Sequence, residues 1–268
     1  PIGSFCNIRC DYCFYLEEHR LYEGPPSTHR MSSATVEKLI QEIFANSDMP
    51  TFFWQGGEPM VMGLEFYQQV VTLQRRYAKG KTYFNALQTN GMLLNEAWAE
   101  FLRRENFLVG ISLDGPAHIH DRYRKDNQGN GTFQRVLENT QMLLKKRVPF
   151  NILATVNDYS VKYPKEIYEF FVENGFIFMQ FGPVVERDPQ HPEVVASWSV
   201  NAQDYGDFLI QLFNLWMKDF DFKEIKQKTS IRFFDSLIQV YAGMMPDHCA
   251  MHKRCNDYLV VEHNGDIF

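Results

Sequence analysis

Cys6-Asn7-Ile8-Arg9-Cys10-Asp11-Tyr12-Cys13-Phe14-Tyr15 places three thiols within eight residues of chain. Three thiolates on one short loop can hold three corners of an iron–sulfur cube and leave the fourth iron without a protein ligand, free to bind something else. Closely spaced cysteines also serve structural zinc and disulfide frameworks, so both alternatives have to be weighed. Zinc needs a fourth ligand; none of the eight histidines lies inside the run, and the nearest, His19, stands beyond Cys13 on a segment that could supply it only loosely. Five cysteines in 268 residues are too sparse, and odd in number, for a disulfide framework. The run therefore favours an iron–sulfur cluster, with zinc as the alternative.

Outward from this loop, strands and helices alternate. Gly24-Pro25-Pro26 breaks the chain, and Ser32 or Ser33 can cap a helix carrying Val36, Leu39, Ile40 and Ile43 at helical spacing. The strand-like run Thr51-Phe52-Phe53-Trp54 ends in Gln55-Gly56-Gly57-Glu58-Pro59. The same grammar repeats: helix from about Leu64 to Tyr77, strand Tyr83 to Leu87, turn Gln88-Thr89-Asn90-Gly91, helix Glu96 to Arg104, strand Leu108 to Leu113, stop at Asp114-Gly115-Pro116. Helices near Phe133 to Lys145 and Pro164 to Asn174 then alternate with strands Phe150 to Val156 and Phe176 to Phe181. Such alternation implies a parallel sheet with right-handed crossovers. Five strands are visible, and a sixth is expected ahead of Pro1 to launch the cysteine loop. The expected fold is α/β, an open, partial (β/α)6 barrel related to the TIM barrel, with functional loops at the carboxyl ends of its strands.

Beyond the last strand, Glu186 to Pro192 reads as a linker or lid, and amphipathic helices follow near Ala202 to Lys218 and Ser230 to Met244. Cys249 and Cys255 precede a hairpin that turns at Asn264-Gly265. Residues 1–190 are expected to form the barrel, 191–245 a helical connection, and 246–268 the beginning of a further domain.

With 45% hydrophobic and 15% aromatic residues the chain can bury a large core. A net charge of −6 and a pI near 5.8 give no support to a nucleic-acid or anionic-membrane partner. No apolar run approaches a membrane span and no signal-peptide pattern opens the chain, so the expected location is cytoplasmic.

Several strand ends offer groups to a ligand. Gly56 and Gly57 remove side chains so that backbone can approach closely, and Glu58 adds a carboxylate. Ser112 and Asp114 flank Leu113 and point to one side, a disposition suited to ribose hydroxyls, although both residue types commonly cap helices. Asn90 is a further candidate whose alternative role is turn geometry.

The cysteine spacing, three residues then two, with an aromatic before the last Cys, resembles the radical S-adenosylmethionine enzymes. The continuation Cys13-Phe14-Tyr15 resembles their anaerobic sulfatase-maturase branch, and the resemblance runs from Phe5 to Phe268. It implies a [4Fe–4S] cluster on Cys6, Cys10 and Cys13 that binds S-adenosylmethionine and cleaves it reductively to methionine and a 5′-deoxyadenosyl radical. That radical would oxidise a Cys or Ser of a sulfatase peptide to formylglycine. It further implies that Gly56, Gly57 and Glu58 hold the cofactor's methionine amino group, that Ser112 approaches the cofactor, and that Arg124 pairs with its carboxylate. Tyr12 and Val185 would flank the adenine, and Tyr15 would lie close to the reacting substrate. Cys249 and Cys255 match the first ligands of an auxiliary [4Fe–4S] cluster in a SPASM-type C-terminal extension, and a general-base Asp is expected beyond Phe268. The partners implied are a sulfatase or other peptide and an electron donor such as flavodoxin or ferredoxin. Another peptide modification, such as a thioether crosslink, is the alternative within the same chemistry. A zinc-binding interaction domain, with His248 and His252 near Cys249, is the alternative outside it.

Overall fold

A computed structural model describes residues 2–18, 22–221, 223–224, 226–253 and 258–268. His19 and Cys255 lie outside them. Along the chain the strands are β1 (Ile8–Cys10), β2 (Thr51–Trp54), β3 (Phe84–Thr89), β4 (Phe107–Ser112), β5 (Arg124–Asp126), β6 (Phe150–Val156), β7 (Phe178–Pro183), β8 (Phe220–Asp221), β9 (Lys226–Gln227) and β10 (Ser230–Ile231). The helices are α1 (Tyr15–Glu18), α2 (Ser33–Asn46), α3 (Leu64–Ala78), α4 (Glu96–Arg104), α5 (Ala117–Tyr123), α6 (Phe133–Lys146), α7 (Pro164–Glu173), α8 (Ala202–Lys218) and α9 (Arg232–Tyr241).

Six of the strands form one sheet in the order β10-β7-β6-β4-β3-β2, every neighbouring pair parallel. This is the parallel α/β architecture that the alternation predicts. Period-two burial divides its faces. Phe52, Trp54, Leu87, Val109, Ile152 and Met179 are buried in one continuous core with the helices. Phe53, Leu108 and Phe178 are exposed on the opposite face, which also carries the half-buried Gln88, Ser112 and Thr155. Local chemistry fixes the helix starts: Ser32 accepts from the Thr35 N–H at 3.1 Å to open α2, and Asn95 accepts from the Trp98 N–H at 3.0 Å to open α4.

Two departures from expectation bear on the sheet and the cysteine loop, besides the short β8–β9 pair. The helix expected from Ser230 to Met244 begins with β10, because the Ser230 N–H donates to the Ile177 carbonyl at 2.7 Å and adds Ser230–Ile231 to the edge of β7. Ile231 fits a helical stripe equally well, so the apolar period does not separate the two outcomes. The helix that follows stops at Tyr241, where Gly243 takes φ +73° and its N–H returns to the Val240 carbonyl. The sixth strand of this sheet is thus β10, from the C-terminal side. The second departure is α5 with β5, unread in the sequence: β5 runs antiparallel to β1, Cys10 opposite Arg124.

Candidate active site

Residues 2–5, which lead into the cysteine loop, are stitched to the end of β2 by backbone. The Ile2 N–H donates to the Gln55 carbonyl at 2.9 Å, the Gly57 N–H to Gly3 at 2.8 Å, and the Glu58 N–H to Phe5 at 2.9 Å. A Cβ on Gly56 would fall 2.5 Å from the Gly3 carbonyl oxygen, and one on Gly57 2.4 Å from that of Ser4. The close approach for which these glycines make room is therefore that of the chain's own residues 3–5. From the next strand end, Asn90 donates through Nδ2 to Asn7 Oδ1 at 2.8 Å and to Cys6 Sγ at 3.6 Å. The sequence gives Asn90 only as a turn residue or a cofactor contact; its place beside the Cys6 sulfur has no signal in a single chain.

Glu58 joins two strand ends. Its carboxylate accepts from the Met60 N–H at 2.9 Å, the Thr89 hydroxyl at 2.8 Å and the Asn90 N–H at 2.7 Å. Burial pushes its pKa up to about 7 against these three donors.

Asp114 is the second hub. Its buried carboxylate accepts from Arg124 Nε at 2.8 Å, the Tyr12 hydroxyl at 2.6 Å and the Thr155 N–H at 2.8 Å. Burial opposes its charge, yet the Arg124 guanidinium and the neighbouring donors hold its pKa below the usual carboxylate value. Arg124 also donates to Thr155 Oγ1 at 3.0 Å, lies over the Tyr12 ring at 5.5 Å, and brings Nη1 to 3.9 Å from Cys10 Sγ. Both residues thus act on each other and on the cysteine loop. Behind them, His120 accepts the Asp114 N–H at 3.3 Å and meets Thr132 at 3.0 Å, and burial lowers its pKa to about 3.

The two buried titrating groups pull stability in opposite directions between about pH 4.5 and 6.5. There the folded state keeps the Glu58 proton that the unfolded chain releases, so this group loses stability as pH rises. The unfolded chain takes up the His120 proton that the folded state refuses, so that group gains stability as pH rises. The two contributions oppose each other in the native protein. In Glu58→Gln only the His120 contribution survives, and urea unfolding should show stability falling on acidification through this range more steeply than in wild type. Parallel pH profiles for the two proteins would contradict the assignment.

The three thiols line an open cavity of about 1050 Å³ together with Phe14 and Tyr15, faced by Glu186, Arg187 and Trp198. Cys6, Cys10 and Cys13 are free of disulfides. Burial pushes the Cys6 and Cys10 thiols up to about 12 and raises Cys13, so the thiolates need a metal's positive charge to form near neutral pH. Among the described residues no three His, Cys, Asp or Glu side chains gather where one metal ion could sit. Cys6, Cys10 and Cys13 line one cavity and act on one another electrostatically, a donor set that can give one thiolate to each of three irons of a cluster. Trp198 lines the same cavity, and its indole N–H is buried with no partner among the described residues.

Of the other expected residues, Ser112 accepts from Gln88 Nε2 at 3.1 Å. Val185 is 65% exposed, and it is its neighbour Val184 that packs with Ile8, Cys10 and Tyr12. Glu186 to Pro192 folds back on itself, Arg187 opposite Val195, along the cavity. Cys249 is exposed in the short turn Cys249–Met251. The expected hairpin turns at Gly265, with Val260 and Phe268 exchanging backbone hydrogen bonds.

A family profile described as the radical SAM superfamily matches residues 1–171. A serine-type anaerobic sulfatase-maturating enzyme of Bacteroides thetaiotaomicron is 39% identical across all of this chain and 67% of its own length. A cysteine-type enzyme of that name from Clostridium novyi is 38% identical, across all of this chain and 71% of its own length. A solved structure described as native anSMEcpe with bound AdoMet and Cp18Cys peptide superposes with a TM-score of 0.88 at 33% identity, covering all of this chain and 71% of that one.

Proposed function

We propose, from the premise that this chain belongs to the radical SAM superfamily and within it to the anaerobic sulfatase-maturating enzymes, that it acts in a formylglycine-forming oxidation of a sulfatase peptide. The observation that carries this reading is the loop Cys6–Cys13, held at its start by residues 2–5 against β2 and open to a cavity large enough for a nucleotide cofactor and a peptide end. Cys6, Cys10 and Cys13 would hold a [4Fe–4S] cluster. When bound, that cluster and S-adenosylmethionine supply the electron and the carbon-centred radical that remove a hydrogen atom from the peptide.

The chain's own residues do the positioning. Tyr12, Asp114 and Arg124 brace the loop from below, and Asn90 braces it beside Cys6. Ser112 and the Gly56-Gly57-Glu58 segment stand at the strand ends where the cofactor would be gripped. Phe14, Tyr15 and Trp198 wall the cavity with aromatic surface that limits water around a reactive carbon. Because a serine-type and a cysteine-type relative match at nearly equal identity, the proposal covers either side chain of a sulfatase peptide. Cys249 and Cys255 would begin an auxiliary cluster, with flavodoxin or ferredoxin as the electron donor.

The test is anaerobic incubation of the reconstituted protein with S-adenosylmethionine, a reductant and sulfatase peptides containing Cys or Ser, followed by mass spectrometry for the aldehyde and for 5′-deoxyadenosine. Absence of 5′-deoxyadenosine from an iron-loaded preparation would overturn the reading. Tyr15 gives a sharper check at the cavity wall. Tyr15→Phe should retain full iron content and slow peptide oxidation by about tenfold or more, the loss expected when one positioned polar group is removed beside the reacting atoms. Unchanged turnover would reduce Tyr15 to a packing residue.

A further inference from the structure

Gln88 and Ser112 lie on the open face of neighbouring strands, but not directly opposite: Gln88 pairs with Gly110, two residues before Ser112. The Gln88 side chain crosses Gly110 diagonally to donate from Nε2 to Ser112 Oγ at 3.1 Å. This path exists only because residue 110 has no side chain, since a Cβ there would fall 2.0 Å from Gln88 Oε1 and 2.9 Å from its amide carbon. Gly110 has no positive φ that would demand glycine for backbone reasons. Its smallness serves the crossing.

The direction of that bond has a chemical consequence. An amide N–H can only donate, so Ser112 Oγ receives it on a lone pair, and its own O–H must point elsewhere. No acceptor for that hydrogen is found among the described residues. We propose that Gln88 is a positioning residue for cofactor binding: laid over Gly110, it fixes Ser112 as a hydrogen-bond donor toward an oxygen acceptor of S-adenosylmethionine. The proposal rests on the reading of Ser112 as a cofactor contact, and goes beyond it by assigning the donor direction and the two residues that impose it. A hydroxyl free to rotate would spend part of its time presenting a lone pair to the acceptor, which would repel it.

Affinity for S-adenosylmethionine tests this, measured on the iron-loaded protein by equilibrium dialysis and by the change in the cluster's EPR spectrum on cofactor addition. Ser112→Ala should weaken binding about tenfold, the scale of one hydrogen bond. Gln88→Ala should weaken it severalfold, and the Gln88→Ala/Ser112→Ala pair should be no weaker than Ser112→Ala alone, because Gln88 acts through the hydroxyl. Gln88→Glu, nearly isosteric, should be worse than Gln88→Ala: the introduced carboxylate accepts the hydroxyl hydrogen and reverses the donor direction. Gly110→Ala, which displaces Gln88, should match Gln88→Ala and add nothing to it. An unchanged affinity in Ser112→Ala would remove the underlying contact and the proposal with it. A weakened Ser112→Ala beside an unchanged Gln88→Ala, or additive losses in the pair, would overturn the proposal while leaving the cofactor reading in place.

Discussion

Cys10→Ala should leave a folded protein that binds no intact [4Fe–4S] cluster and releases no 5′-deoxyadenosine. Cys10 is the middle of the three thiols, the most buried of them, and packed with Ile8, Tyr12 and Val184. Alanine fills most of that small apolar niche, so far-UV circular dichroism should change little. The sulfur's chemistry has no substitute, because two thiolates cannot support three corners of a cube. Iron analysis, visible absorbance and product chromatography on one anaerobic preparation separate the outcomes. Full 5′-deoxyadenosine release by this variant would sink the assignment of the loop, whereas loss of the fold would show that the thiol is structural.

Asp114→Ala should be the most destabilising single change in the region, by about 3–5 kcal/mol, the scale for removing one partner of a buried ion pair. It strands the Arg124 guanidinium in the interior, and it also leaves the Tyr12 hydroxyl and the Thr155 N–H without their acceptor. Because Tyr12 stands between Cys10 and Cys13 and Arg124 pairs with the strand that bears Cys10, iron loading should fall together with the urea midpoint. A loss below about 1 kcal/mol would mean that the pair contributes no more than an exposed salt bridge.

Much of this is legible in the amino-acid sequence itself. β2 and β6 begin and end where their apolar runs do, and α4 and α8 coincide with their periodic stripes, because propensity, caps and burial agree there. β10 was missed because two residues of edge strand cannot be told by period from the first turn of the helix they precede. α5 and β5 were missed because Asp114-Gly115-Pro116 reads as a stop, and the segment after it is held by His120, Thr132 and Asp114 rather than by an apolar pattern. At the site the cysteines announce themselves by spacing alone. Asp114 was singled out for a ligand, and the sequence could not reveal that its carboxylate faces Arg124 and Tyr12. The Gln88–Gly110–Ser112 crossing depends on strand register, which no single sequence states.

The seam between residues 2–5 and Gln55 to Glu58 bears on the order in which the protein matures. It is made of main-chain hydrogen bonds and glycine contacts that need no metal. The conformational freedom of residues 2–5, of the order of 1–2 kcal/mol per residue, is therefore surrendered during folding rather than at iron uptake. Unlike a zinc finger, which stays unfolded until it is loaded, such a chain can complete its tertiary structure empty and be charged afterwards. Oxidative loss of the inorganic core would then be an injury that a cell repairs by refilling the polypeptide, with no need to synthesise it again.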